Sequence, residues 1–76
     1  RLYAQVGAFG EQTNAKRLAQ QLRRAGFDDV AVRATDRDGV RLQRVLVGPV
    51  DDAPQLDGLV ARLQDAGYGD ARLAID

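Results

Sequence analysis

The sequence lacks the residue types that carry most enzyme chemistry. Its 76 residues include no cysteine, histidine, serine, methionine or tryptophan. Without them there is no disulfide, no ordinary zinc site, and no Ser-His-Asp or Cys-His arrangement for nucleophilic catalysis. We therefore expect no metal, no cofactor and no catalytic residue in this chain.

The length and charge narrow the possibilities further. A chain of 76 residues forms one small domain, whose core must come from leucine, valine, isoleucine and alanine because no disulfide or metal is available. Eleven basic and eleven acidic residues give no net charge, which argues against a domain that holds nucleic acid by neutralising phosphates. No apolar run is long enough to span a bilayer, so we expect no membrane insertion by this domain. Because the chain begins at Arg1 and has no methionine, we interpret it as a piece of a longer protein.

An internal repeat organises the chain. Matching residues recur at an offset of 41 positions without a gap. The clearest matches are Val6-Gly7 with Val47-Gly48, Leu18 with Leu59, Leu22 with Leu63, Ala25-Gly26 with Ala66-Gly67, and Asp29 with Asp70. The repeat predicts two copies of one supersecondary unit, residues 5–35 and 46–76, within a single domain 1–76.

Local signals predict a strand, a helix and a strand in each copy. Thr13 or Asn14 is expected to cap the first helix, and Asp51 or Asp52 the second, while Gly26 and Gly67 are expected to end them. The predicted strands are residues 2–8, 30–35, 41–47 and 71–75, with a hairpin turn over 36–39. The order β-α-β-β-α-β predicts an α+β fold of ferredoxin-like or RNP-like type. It has a four-stranded antiparallel sheet in the order 4-1-3-2 and both helices on one face.

Alternation along the strands assigns side chains to the two faces of this sheet. The side expected to face the helices carries Val6, Val30, Val32, Val45, Val47, Leu73 and Ile75. The opposite side, called the open face, is expected to carry Tyr3, Gln5, Gly7, Ala31, Arg33, Leu42, Arg44, Leu46, Gly48, Arg72 and Ala74. This set has arginines and no carboxylate, so a positive open face is expected, either simply solvated or used for binding.

Two motifs relate the chain to a known family. The segment Tyr3-Ala4-Gln5-Val6-Gly7-Ala8-Phe9, followed by Asn14-Ala15, resembles the opening motif of SPOR domains. The segment from Gln43 to Val50 is similar to the family's Tyr-Arg-Val-x-Val-Gly-Pro-Phe, although Gln43 and Val50 replace its aromatic residues. The resemblance covers nearly the whole chain with its spacing kept.

The resemblance implies a binding function and a site. SPOR domains bind peptidoglycan, preferring glycan strands denuded of stem peptides, and so target their parent protein to the division septum in the bacterial cell envelope. It implies a non-catalytic, monomeric periplasmic domain with no nucleic acid partner. Its family positions map to Gln5, Ala8 and Arg44, with Leu42 where an aromatic is common. The other expected glycan contacts are Tyr3, Phe9, Arg33, Leu46 and Arg72.

Several of these residues also have ordinary structural interpretations. Phe9 is either a ligand contact or a staple between helix and sheet, and Tyr3 is either a ligand contact or an ordinary strand aromatic. Gly7 and Gly48 are expected to mark bulges or bends. The pairs Asp28-Asp29 and Asp51-Asp52 fit turns and helix caps better than a two-carboxylate glycosidase site.

The strand order also leaves other functions open. An RNA-binding domain of RRM-like topology is the main alternative, but it would need aromatic residues on the central strands and usually a basic surface. A small acylphosphatase-like enzyme would need an arginine-bearing loop after the first strand. The stretch from Gly7 to Gly10 contains none.

Overall fold

A computed structural model describes all 76 residues. The elements in chain order are β1 (Leu2–Phe9), α1 (Gln12–Arg24), β2 (Val30–Arg37), β3 (Val40–Val50), α2 (Ala53–Asp65) and β4 (Arg72–Ile75). The strands form one antiparallel sheet in the order β2-β3-β1-β4. This confirms the predicted β-α-β-β-α-β, ferredoxin-like architecture, with β1 and β3 central. Neither helix is long and apolar enough to cross a membrane.

The two helices end in the same way, as the repeat predicts. Each has 13 residues and is followed, after one further residue, by a glycine with positive φ: 96° at Gly26 and 99° at Gly67. The next residue, Phe27 or Tyr68, then donates its backbone N–H to a carbonyl of the last helical turns at 3.0 or 2.9 Å. The glycine is suited to this turn because a side chain disfavours positive φ.

The helix starts differ between the two copies. Asp52 caps α2 as predicted, because its Oδ1 accepts the backbone N–H of Gln55 at 2.9 Å. The predicted cap of α1 at Thr13 or Asn14 is wrong: both lie inside the first turn, and the extended residue before the helix is Glu11. The Glu11 side chain makes no capping hydrogen bond, so no sequence signal marks this start.

The hairpin between β2 and β3 is tighter than predicted. Arg37 pairs with Val40, so only Asp38 and Gly39 form the loop, both with positive φ. This geometry matches the right-handed twist of two paired strands and explains the Asp-Gly sequence. The strands therefore extend beyond their predicted ends at 35 and 41.

The main core lies between the helices and the sheet. Its buried residues are Ala4, Val6, Ala15, Ala19, Leu22, Phe27, Val30, Val45, Val47, Leu56, Leu63 and Ala71. The predicted helix-facing residues Leu73 and Ile75 are an exception. Their register with Ala4 and Leu2 places them on the helix side, but β4 is an edge strand and both are exposed.

A β-bulge in β1 changes the alternation. Gln5 pairs with Leu46, but Gly7 already pairs with Val45, so one extra residue lies in β1 at Val6. Residues opposite each other in an antiparallel ladder share a face, so Gly7 lies on the helix side. The prediction that Gly7 belongs to the open face is therefore wrong, because strict alternation cannot account for an extra residue.

The bulge also decides where the next two residues point. Ala8 pairs with Arg44 and so lies on the open face, whereas Phe9 pairs with Gln43 on the helix side. A Cβ on Gly7 would lie 3.0 Å from a methyl carbon of Leu18 in α1. Glycine at this position allows the helix to approach the strand closely.

Candidate functional site

The open face contains a groove that is lined by residues of all four strands. The groove has a volume of about 410 Å³. Five of the nine predicted site residues line it: Gln5, Ala8, Leu42, Arg44 and Arg72. β1 and β3 present the first four side by side, and β4 supplies Arg72 opposite Gln5. The sheet thus brings together the residues that the family resemblance singles out.

Arg44 is the central cation of this groove. Its Nε donates to the Gln5 Oε1 at 3.0 Å, and its Nη1 donates to the Thr35 Oγ1 at 3.3 Å. Its side chain is only 16% exposed, and the two hydrogen bonds hold the guanidinium from both neighbouring strands. Because the Gln5 carbonyl oxygen is occupied by Arg44, the Gln5 amide N–H groups remain to donate to a ligand.

Thr35 was missed as a site residue by sequence reasoning. It pairs with Leu42 and lies on the open face. The sequence does indicate this position, because Thr35 lies two residues after Arg33 and four after Ala31. Alternation along β2 therefore places all three side chains on the same face. Thr35 is the last residue of the predicted strand 30–35, and its hydroxyl accepts from Arg44 of the neighbouring strand β3.

Arg33 lies over a tyrosine instead of extending freely into solvent. Its guanidinium carbon is 5.5 Å from the centroid of the Tyr3 ring, and its Nη2 donates to the Tyr3 hydroxyl at 3.3 Å. A cation above an aromatic face is attracted by the ring quadrupole. Arg33 and Tyr3 therefore form one unit at the end of the face nearest the chain termini.

Tyr3 and Leu46 form the floor of the open face. They are 2% and 0% exposed, and both lie outside the main core cluster. Gly48 lets the tyrosine ring lie against the backbone, since a Cβ there would be 3.3 Å from the Tyr3 Cδ1. The expectation that Tyr3 and Leu46 are exposed on this face is wrong. Although no helix packs on the open face, a long side chain can lie across the sheet and cover a neighbouring residue, as Arg33 covers Tyr3.

Phe9 does not reach the open face. It lies on the helix side, half-buried, and packs against the core. Of its two interpretations, the structure supports the staple between helix and sheet. No aromatic ring is therefore exposed in the groove for stacking.

Asp76 places a carboxylate where none was expected. Its Oδ2 accepts from the Arg33 Nη1 at 2.8 Å and its Oδ1 from the Arg44 Nη1 at 3.4 Å. Backbone bonds of 3.0 and 2.9 Å between Asp76 and Arg1 extend the β1–β4 ladder by one residue, which fixes the side chain on the open face. The prediction of a face without carboxylates is wrong because the last residue was not counted as part of the strand.

The chemistry of the site is that of recognition. Its hydrogen-bond donors are guanidinium, amide and hydroxyl groups, and the apolar Leu42 and Ala8 lie beside them. No group of three or more acidic side chains is placed to hold a metal ion. This combination suits a ligand with hydroxyl, amide and carboxylate groups.

Comparison with known proteins identifies the family and supports the fold. Residues 1–73 match the family model described as SPOR domain. Among solved structures, the chain is similar to the crystal structure of the RlpA SPOR domain from Pseudomonas aeruginosa. The two are 28% identical over 100% of each chain, with a TM-score of 0.84. A search of curated proteins found no match.

Proposed function

The chain belongs to the SPOR family, whose domains are non-catalytic and bind peptidoglycan, and on this premise we propose that its open face binds glycan strands denuded of stem peptides. Gln5, Arg44 and Thr35 form the centre of the proposed site. Ala8, Leu42, Arg33 and Arg72 surround it. Tyr3 and Leu46 support it from beneath.

The preference for denuded strands has a chemical basis in the free carboxylate. In intact peptidoglycan the lactyl group of each muramic acid is joined to the stem peptide by an amide bond. Removal of the peptide converts that amide into a carboxylate. Arginine binds a carboxylate through charge-assisted hydrogen bonds, which are roughly twice as strong as neutral ones. Arg44 and Arg33 therefore favour the denuded strand over the substituted one.

The other groups of the site match the rest of the sugar. The free amide N–H groups of Gln5 can donate to an acetamido or hydroxyl oxygen. Leu42 and Ala8 offer apolar contact to a sugar face in place of aromatic stacking. Arg72 is exposed at the groove edge and can pair with a second carboxylate along the strand.

The observation that carries this proposal is the restraint of Arg44 by Gln5 and Thr35. An arginine fixed before binding loses less conformational freedom when it meets a ligand. Its restraint by partners on both neighbouring strands also explains why the family motif pairs a first-strand glutamine with a third-strand arginine.

A sedimentation assay tests the proposal with two kinds of sacculi. The domain is mixed with intact sacculi and with amidase-treated sacculi, and the bound fraction is measured. We expect clear retention on the amidase-treated sacculi and much less on the intact ones. Equal, weak retention on both would contradict the proposed preference.

Matched arginine variants test the location of the site. Arg44→Ala should lose retention on amidase-treated sacculi, whereas Arg41→Ala should keep it. Arg41 lies on the same strand as Arg44, but alternation places its side chain on the opposite face of the sheet. Its contact with Asp36 is an exposed ion pair with an N–O distance of 3.6 Å. Equal loss in both variants would mean that retention depends on overall charge and not on the open face.

The RNA-binding alternative has no support in the geometry of the face. RRM-type recognition stacks bases on aromatic rings of the central strands. The aromatic ring that β1 contributes to this face, Tyr3, is buried beneath Arg33. The groove thus offers a base no exposed ring.

The same premise extends to the parent protein and its location. SPOR domains act in the periplasm and target their parents to the division septum. We extend both properties to this chain. The full-length similarity to the RlpA domain favours a parent of the rare lipoprotein A type, a septal lytic transglycosylase, with this domain acting as a monomeric targeting module.

A further inference from the structure

The Asp76 carboxylate lies between the two arginines to which the glycan carboxylate is assigned. Its two oxygens accept hydrogen bonds from different guanidinium groups: Oδ2 lies 2.8 Å from Arg33 Nη1, and Oδ1 lies 3.4 Å from Arg44 Nη1. One carboxylate bridging two arginines is the arrangement expected of a bound lactyl group on this face. In the free domain, a residue of the chain itself fills that position.

The backbone around Asp76 explains why this contact forms without a ligand. Arg1 and Asp76 are paired through two backbone hydrogen bonds at the end of the sheet. The side chain is thereby aimed at the open face beside Ala74, which pairs with Tyr3. Little conformational freedom is lost when the carboxylate meets the arginines, so the contact is favoured over solvation.

The contact is also weak enough to be replaced. The Asp76 side chain is 28% exposed, and Arg33 is more exposed still. Ion pairs in such partly solvated positions contribute little, because water screens them. An incoming carboxylate that also gains contacts with Gln5 and Leu42 can therefore displace Asp76.

We propose that Asp76 is an internal ligand of Arg33 and Arg44, and that a glycan carboxylate must displace it in order to bind. The proposal rests on the proposed function of the open face and adds a competitor to it. It implies that this domain binds its glycan less tightly than the same face would without Asp76.

The test compares Asp76→Ala with a variant matched in charge. Asp57→Ala removes one negative charge from the exposed surface of α2, where Asp57 makes no hydrogen bond or ion pair. The ligand is a soluble denuded glycan oligosaccharide, used with free lactyl carboxylates and, in parallel, with those carboxylates converted to methylamides. Dissociation constants are measured by calorimetry after circular dichroism has shown that each variant is folded.

We expect Asp76→Ala to bind the free-carboxylate glycan about three- to tenfold more tightly than the wild type, as expected for loss of two partly exposed ion pairs. Binding of the methylamide glycan should be unchanged, and Asp57→Ala should resemble the wild type with both ligands. Unchanged or weaker binding by Asp76→Ala, or an equal gain with both glycans, would overturn the inference.

The outcome separates this inference from the proposed function. If the wild type binds denuded glycan and Asp76→Ala gains nothing, only the internal ligand is refuted. If the wild type binds neither glycan, the proposed function fails. In that case the Nη–H resonances of Arg33 and Arg44 in the free domain still report on Asp76, and unchanged resonances in Asp76→Ala would overturn the contact itself.

Discussion

Two leucines of β3 make the most direct test of how the open face is built. Leu42 and Leu46 lie on the same face of the same strand, and alternation along the strand does not distinguish them. The structure makes them different: Leu46 is fully buried, whereas Leu42 is half-buried and lines the groove. Truncating each to alanine therefore separates a structural leucine from a ligand-contacting one.

The expected loss of stability is large for Leu46. Replacing a fully buried leucine with alanine lowers the free energy of unfolding by about 2–5 kcal/mol. This loss is the sum of the transfer free energy of the removed atoms and the cost of the cavity that they leave. A domain of this size has a total free energy of unfolding of roughly 4–11 kcal/mol. Leu46→Ala thus removes about half of the stability, and Tm should fall by more than about 10 °C. Leu42→Ala should cost about 1 kcal/mol or less, since water already reaches that side chain.

The assay is urea unfolding followed by far-ultraviolet circular dichroism, because the chain has no tryptophan. Binding to amidase-treated sacculi is then measured well below both midpoints. Leu42→Ala should weaken retention with stability nearly intact, and Leu46→Ala should lower stability with retention nearly intact. Equal losses of stability in the two variants would refute the conclusion that Leu46 belongs to the buried floor of the open face while Leu42 lines the groove.

Further predictions concern the helix caps, the bulge and the role of charge. Asp52→Ala should lower the free energy of unfolding by about 0.5–2 kcal/mol, because the capping hydrogen bond is lost, while Glu11→Ala at the other helix start should have little effect; urea midpoints check both. Gly7→Ala should cost about 1–3 kcal/mol, because its Cβ would crowd Leu18, whereas Gly10→Ala has open space; equal Tm values for the two variants would contradict the close approach at the bulge. Raising salt from about 0.05 to about 0.5 M should reduce retention on amidase-treated sacculi more than it changes Tm, since exposed charge contacts are screened; salt-independent retention would argue for a mainly apolar interface.

The candidate site was predicted from the sequence with mixed success. Gln5, Arg44, Leu42 and Arg72 lie together in the groove as expected, because each occupies a regular position of a strand whose pairing the element order dictates. Thr35 was missed although the predicted strand 30–35 includes it, because the alternation along this strand was followed only as far as Arg33. These outcomes concern placement, and the binding role of each residue stays a prediction until it is measured.

The sequence by itself determined the architecture. The 41-residue repeat, the glycines after each helix and the Asp-Gly turn are local signals, and the handedness of the crossovers then leaves one arrangement of the sheet. Local backbone preferences and hydrophobic periodicity act within a few residues, so they can be read without coordinates.

Only the tertiary structure decided which residues the open face presents. The extra residue at Val6 moves Ala8 onto that face and Gly7 off it, and a bulge becomes visible only when two strands are paired. Tyr3 is buried beneath Arg33 of another strand, and Asp76 reaches Arg33 and Arg44 from the far end of the chain. These features arise from contacts between distant segments, and no periodicity within a single strand encodes them.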